Sequence, residues 1–327
     1  MLEVKLLGTG GLLLSKRRML TSMLVKYNDV KLLFDCGEGT QLAFIKEDES
    51  AKDLDAIYLS NFHREHITGI SGMIELMKQS EKVTPLTIIG PKGVVEVVKG
   101  LLVTPEIIKF KINYIEFDTL TSNPDENSRL VYLKDGLKIT AFRLRHTIPS
   151  FGYTIEATKP RELNKEAVEE IGLEDELCKA VLAGKTIALN GKTVNPEIFL
   201  KKVEQLAKVT YCMDTGVCSE IVKNAVNSNV FIANCLRFAP RDAELAAKEK
   251  YLEVHDAAKL AKECNVKEFW MVGTASRIVE MVRNLEYARN HFQDTLIPED
   301  GHKKVFYDNP KDEYRASMYA GDTSFFR

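Results

Sequence analysis

Short apolar runs recur along almost the whole chain, each too brief for a core helix, and stretches with apolar residues at helical spacing separate them. Val4–Leu7, Ser22–Tyr27, Lys31–Asp35, Ala56–Ser60 and Leu86–Ile89 read as strands, bounded by glycine, Asn-Asp or charged turns. Ile67–Gln79 and the segment after Gly93 carry the helical period. Leu137–Arg143, Gly152–Ala157, Val209–Met213, Val230–Ala233 and Phe269–Val272 are strands again, and Ser219–Asn227 and His255–Cys264 are helices. Strand meanders mixed with crossover helices predict two packed sheets with helices outside.

One segment breaks this rhythm. Lys159–Lys208 is rich in charge, contains Pro160 and Pro196, and holds a helical stretch at Lys165–Ile171 and an Asn190-Gly191 turn. Fifty residues between two strands form either a disordered loop or a folded arm, and the helical stretch favours the arm. With no internal repeat and no second apolar core, residues 1–327 read as one domain carrying an inserted arm at 159–208.

Composition narrows the function classes. The net charge of −2 gives no global field toward nucleic acid, so any RNA contact needs a local basic patch. No run approaches the length of a membrane span, and the opening MLEVKLLGTGG lacks the build of a signal peptide. The six cysteines, Cys36, Cys178, Cys212, Cys218, Cys235 and Cys264, lack metal-binding spacing and suit reduced thiols of a cytoplasmic protein.

Chemistry gathers at SNFHREHITGI, residues 60–70. His63 and His66 follow a strand at the mouth of a helix; His146 and Asp214 also follow strands. Three imidazoles and a carboxylate at strand ends are compatible with a zinc site, and by spacing alone they are equally compatible with structural roles.

The motifs LLGTGG (6–11), DCGEGTQ (35–41), LTIIGPKG (86–93), HTIPSFGYTIE (146–156) and YCMDTG (211–216) occur in the order found in ribonuclease Z. The chain resembles that family (tRNase Z, in the metallo-β-lactamase superfamily) from residue 1 to about 278, including the arm phrase GKTIALNGKTVNPEIFL; the last fifty residues carry no assignable motif. The resemblance implies an αββα sandwich with an exosite-like arm, a zinc-dependent endoribonuclease activity in tRNA 3′ processing, and dimerisation.

The same resemblance exposes departures. Where the family's strand-end motif reads His-x-His-x-Asp-His, this chain has Asn61, His63, Glu65 and His66. Another family ligand, a histidine, falls on Gly273; a Glu falls on Asn234 and a further His on Tyr251, with His255 at the wrong helical phase to substitute. By this mapping Asp214 bridges two sites. One comprises His63, His146 and Asp214 with Asn61 as a weak fourth donor; the other comprises His66 and Asp214 with Glu65 as a doubtful one. Glu65 also takes the position of the family's proton-handling Asp. These changes predict one tightly bound zinc at most, or none, and a hydrolase that is impaired or inactive, a pseudoenzyme. Two alternatives stand beside it: a single-metal hydrolase of tRNA or a small phosphodiester, and a non-catalytic partner of RNA or of an active paralogue. Partners are then tRNA or another RNA, a second copy, or that paralogue, with no membrane.

Other features carry less. Asp35 reads as a strand-end carboxylate capping backbone amides rather than as a catalytic group. Lys16, Arg17 and Arg18 either grip RNA phosphates or form a solvated loop. In the arm, nine basic residues are matched by nine acidic ones, which makes it a weaker phosphate clamp than a basic arm would be.

Overall fold

The computed structural model describes residues 1–327 except 13, 103–107, 118–126, 190–191, 236–247, 274–277, 310 and 313–327. Its strands form two seven-stranded sheets. The first runs β16 (Lys303–Phe306), β1 (Leu2–Gly8), β2 (Ser22–Tyr27), β3 (Val30–Phe34), β4 (Ala56–Tyr58), β5 (Leu86–Pro91) and β6 (Ile112–Phe117). The second runs β15 (Thr295–Leu296), β14 (Glu268–Val272), β13 (Val230–Asn234), β12 (Gln205–Cys212), β9 (Phe151–Thr158), β8 (Leu137–Arg143) and β7 (Ser128–Lys134).

Aromatic side chains fill the space between the sheets. Phe34 and Tyr58 of the first sheet stack at 4.8 Å between ring centroids, and Tyr153 of the second meets both edge-on at 5.3 and 5.5 Å. Helices cover the outer faces. α1 (Thr40–Lys46), α3 (Ile70–Gln79) and α4 (Val94–Leu101) bury Phe44, Met73, Met77 and Val98 against Leu33, Ile57 and Ile88. On the other face lie α7 (Ser219–Ala225), α8 (Val254–Glu263) and α9 (Ile278–Arg289). Val254, Ala257, Ala258 and Ala261 of α8 are all buried, one stripe at helical spacing laid on Phe231 and Phe269. This is the αββα layering that the sequence predicts.

In each sheet the strands next to the site are parallel: β3, β4 and β5 in one, β12, β13 and β14 in the other. Their carboxyl ends therefore point the same way within each sheet, and loops leaving them can converge.

The expected helix Ile67–Gln79 is two: α2 (Arg64–Ile67) and α3, broken at Thr68 and Gly69. The break follows from backbone crowding. A Cβ on Gly69 would lie 2.1 Å from the Gly37 carbonyl oxygen, and one on Gly37 would lie 2.4 Å from that of Glu65. Cys36 N–H donates to the His66 carbonyl and Gly69 N–H to the Cys36 carbonyl, both at 2.8 Å, so the loop after β3 is clamped onto the histidine helix.

The last fifty residues, without a motif in the sequence, contribute β15 and β16, and Asp300 accepts hydrogen bonds from Thr9 N, Thr9 Oγ1 and Met19 N at 2.9, 2.7 and 2.6 Å.

These elements belong to a compact unit of residues 1–156 and 207–306; residues 157–206 with 307–327 form a second. The second contains α5 (Lys165–Ile171), α6 (Asp175–Leu182), β10 (Ile187–Leu189) and β11 (Lys192–Val194) around Leu173, Val181, Ile187, Phe199 and Leu200. The Asn190-Gly191 turn lies outside the described residues, but its flanking strands pair antiparallel. Three of the unit's basic residues are held in ion pairs within it: Lys159–Glu204 at 2.6 Å, Arg161–Glu197 at 2.9 Å and Lys201–Glu162 at 2.8 Å. Among the described residues no helix is long and apolar enough to cross a membrane.

Candidate metal centre

Asp214 is the hub. It follows β12 with a φ of 40°, a strained backbone that swings its carboxylate between the sheets, where it is fully buried. His63 Nδ1 and His66 Nε2 both lie 3.0 Å from its Oδ2. Two groups of three converge there: His63, His146 and Asp214, and Glu65, His66 and Asp214. The structure thus brings His63, His66, His146 and Asp214 together, places Glu65, itself buried, in the second triad, and sets the Asn61 amide against Asp214.

Each histidine is oriented by a partner. His146 Nδ1 donates to the Lys250 carbonyl at 3.1 Å, which leaves Nε2 as the lone-pair nitrogen; that Nε2 is buried and makes no hydrogen bond among the described residues. Burial holds this imidazole below its ordinary pKa despite the Lys250 carbonyl and Asp214, so it is a neutral donor. His66 is different. Its Nδ1 lies 2.9 Å from Asp35 Oδ2 while Nε2 faces Asp214. Burial alone would lower its pKa, but the Asp35 and Asp214 carboxylates outweigh burial and raise it well above the usual range. Burial likewise opposes ionisation of Asp214, yet His66, His63 and Asn61 hold it well below the carboxylate range.

Asn61 turns its amide nitrogen, not its oxygen, toward Asp214. Its Oδ1 accepts His63 N–H at 2.8 Å, which turns Nδ2 toward Asp214 Oδ2 at 3.0 Å. The amide offers the carboxylate a proton on the side where a metal would need a lone pair. Asn234 repeats this at the end of β13: Oδ1 accepts Asp214 N–H at 2.9 Å and Nδ2 donates to Asp214 Oδ1 at 2.5 Å. Asn61 and Asn234 are therefore both wired into Asp214. Gly273 lies after β14 with a φ of 67° and donates its N–H to the Thr9 carbonyl. Tyr251 packs beside His146, ring centroids 4.9 Å apart.

The first triad fits one borderline ion. It supplies two imidazoles and a carboxylate, with an uncommitted buried nitrogen on His146. The His63 and His146 rings stand 5.1 Å apart at 86°, within the about 4.5–5.2 Å expected of imidazoles bound cis at zinc–nitrogen distances of about 2.0–2.1 Å. The second triad fits poorly, because it offers a single imidazole whose two nitrogens already face carboxylates, Asp35 and Asp214.

Asp35, expected to cap backbone amides, accepts Ser60 N–H at 2.7 Å and also holds His66 and the Tyr211 hydroxyl, the latter at 2.9 Å. Tyr211 and Lys250 carried no signal of a site role in the sequence. Of the basic loop, Lys16 and Arg17 are exposed, whereas Arg18 is buried and bonded to Thr9 Oγ1 and the Pro298 carbonyl, both at 2.6 Å. Arg18 is thereby corrected from an RNA-contact candidate to an internal strut.

Curated relatives match over nearly the full length. A ribonuclease Z from Clostridium acetobutylicum is 33% identical over 93% of this chain and 98% of its own. The chain belongs to the ribonuclease Z family. A ribonuclease Z from Agathobacter rectalis is 32% identical over 92% of this chain and 96% of its own. Residues 2–161 also match a family model described as Anti-Pycsar protein Apyc1. Among solved structures, the short form of human tRNase Z superposes with a TM-score of 0.67 at 19% identity, covering 93% of this chain and 99% of that one. The metallo-beta-lactamase fold protein YhfI from Bacillus subtilis gives 0.64 at 17% identity, covering 93% and 98%. Both confirm the fold. In this ribonuclease Z-family chain Asp214 meets two histidines and two asparagine amides.

Proposed function

We propose that this ribonuclease Z-family protein is a degenerate member: it takes tRNA-class RNA as its partner, holds at most one zinc, and hydrolyses phosphodiesters slowly or not at all. The observation that carries this reading is the pair of asparagines whose amide hydrogens occupy both oxygens of Asp214. A carboxylate that bridges two ions needs those lone pairs for metal.

His63, His146 and Asp214 would hold the single ion, which supplies Lewis-acid polarisation of a phosphoryl oxygen when bound. Asp35 and Tyr211 keep His66 in place. Glu65 sits on the short α2 beside His66, but its extra methylene relative to Asp moves its carboxylate away from the proton-handling position that the family resemblance implies. General acid–base help is then weak.

A second reading, a single-metal hydrolase of a small phosphodiester, is favoured by the arm's internal ion pairs, which spend lysines and an arginine that could otherwise meet RNA phosphates. Metal content per chain after purification without chelator, read beside cleavage of a precursor tRNA and of a small phosphodiester, tests both. One zinc or none with slow cleavage of either substrate supports degeneration. Two zincs per chain, or precursor-tRNA turnover on the order of 1 per second or faster, overturns it.

A further inference from the structure

We infer that His255 and His291 form a second, separate site for a borderline divalent ion such as zinc or copper(II), joining α8 to the end of α9. The two rings stand 4.6 Å apart at 87°, nearly the arrangement of His63 and His146 in the centre. That separation falls inside the about 4.5–5.2 Å window for imidazoles bound cis to one ion. The tautomers agree with it. His255 Nδ1 lies 3.3 Å from Asp256 Oδ1 and His291 Nδ1 lies 3.1 Å from the Tyr287 carbonyl. Both partners only accept, so in the neutral rings the proton sits on Nδ1 and the lone pair on Nε2. A carboxylate or carbonyl on the far nitrogen is how metal-binding histidines are usually steadied. The His255 side chain is 28% exposed, so water can complete the coordination shell. Two ligands make this a weaker site than the first triad, and imidazole donors favour copper(II) over zinc.

The competing account is that the rings merely pack, with Tyr287 at 6.2 and 5.4 Å completing the cluster. Copper(II) titration followed by electron paramagnetic resonance separates the two. In a chain carrying His63→Ala and His146→Ala, one copper per chain should remain, with two nitrogens in its signal. Adding His255→Gln or His291→Gln should weaken binding at least tenfold and leave at most one nitrogen. If the alanine pair prevents folding, the same glutamine variants in the otherwise native chain should abolish one of two copper classes. Binding unchanged within twofold in either glutamine variant would overturn the site. The result is independent of activity at Asp214, so it stands or falls apart from the degenerate-centre reading.

Discussion

The Asn234 side chain grips Asp214 twice, accepting its backbone N–H at 2.9 Å and donating to its Oδ1 at 2.5 Å. A buried carboxylate is expensive to leave unpaired, and here two amides and two imidazoles supply what an ion would otherwise supply. Asn234→Ala should lower stability by about 2–4 kcal/mol, because it strands a buried charge and a buried N–H together. Chemical denaturation with and without chelator checks this. The loss should be nearly the same in both conditions; a loss that appears only after chelation would mean that metal, not the amide, holds the carboxylate.

Repair of the centre should be cooperative. Asn61→His, Glu65→Asp and Gly273→His together should raise zinc toward two per chain by mass spectrometry, and each alone should do little, since ligands of one ion act as a unit. Gly273→His carries its own penalty. Its φ of 67° disfavours any side chain and the position is buried, so that single change should cost about 1–3 kcal/mol in thermal or chemical unfolding.

Much of this was legible in the residues, and the limits have physical causes. The strands that line the site are short, apolar and turn-bounded, so their period is strong, and His63, His66, His146 and Asp214 could be placed at their ends. The direction of an amide could not be read. Asn61 was expected to present oxygen to a metal, but the backbone N–H of His63 takes that oxygen first. The continuous helix expected at 67–79 failed because Gly69 approaches Gly37 across sequence-distant loops, a contact that local periodicity does not encode. The edge strands β6, β7, β15 and β16 were missed as they are short or partly exposed and so lack a clean alternation.

A buried ion cluster on the first sheet sets an acid limit. Lys5 and Lys26 each lie 2.8 Å from Glu49 Oε1, and Lys31 lies 3.5 Å from its Oε2. Burial opposes the charge on Glu49, but Lys26 and Lys5 hold its pKa down to about 2, against an ordinary 4.5. A depressed folded-state pKa gives stability that is fully present above the unfolded value and is lost as pH falls from about 4.5 toward 2. Glu49→Gln should therefore destabilise by about 2–4 kcal/mol at neutral pH and by progressively less as the unfolding midpoint is followed down through that window. An equal loss at pH 7 and pH 2.5 would refute the assignment.

The arm is proposed to be the less stable part of the chain. Residues 159–208 rest on a small cluster of buried side chains, whereas each sheet has an extensive core of its own. Amide hydrogen exchange over 165–200 should run at least tenfold faster than over β3, β4, β12 and β13. Protection equal to that of those strands would show that the arm shares their cooperative unit.

The pairing of β1 with β16 sets Leu2 opposite Phe306, so β1 waits for a strand about three hundred residues downstream. A growing chain would carry β1 with one edge open, and the loop after it without Asp300, until residues 300–306 have been made. Premature stop codons anywhere before residue 306 should yield insoluble fragments rather than shorter working versions.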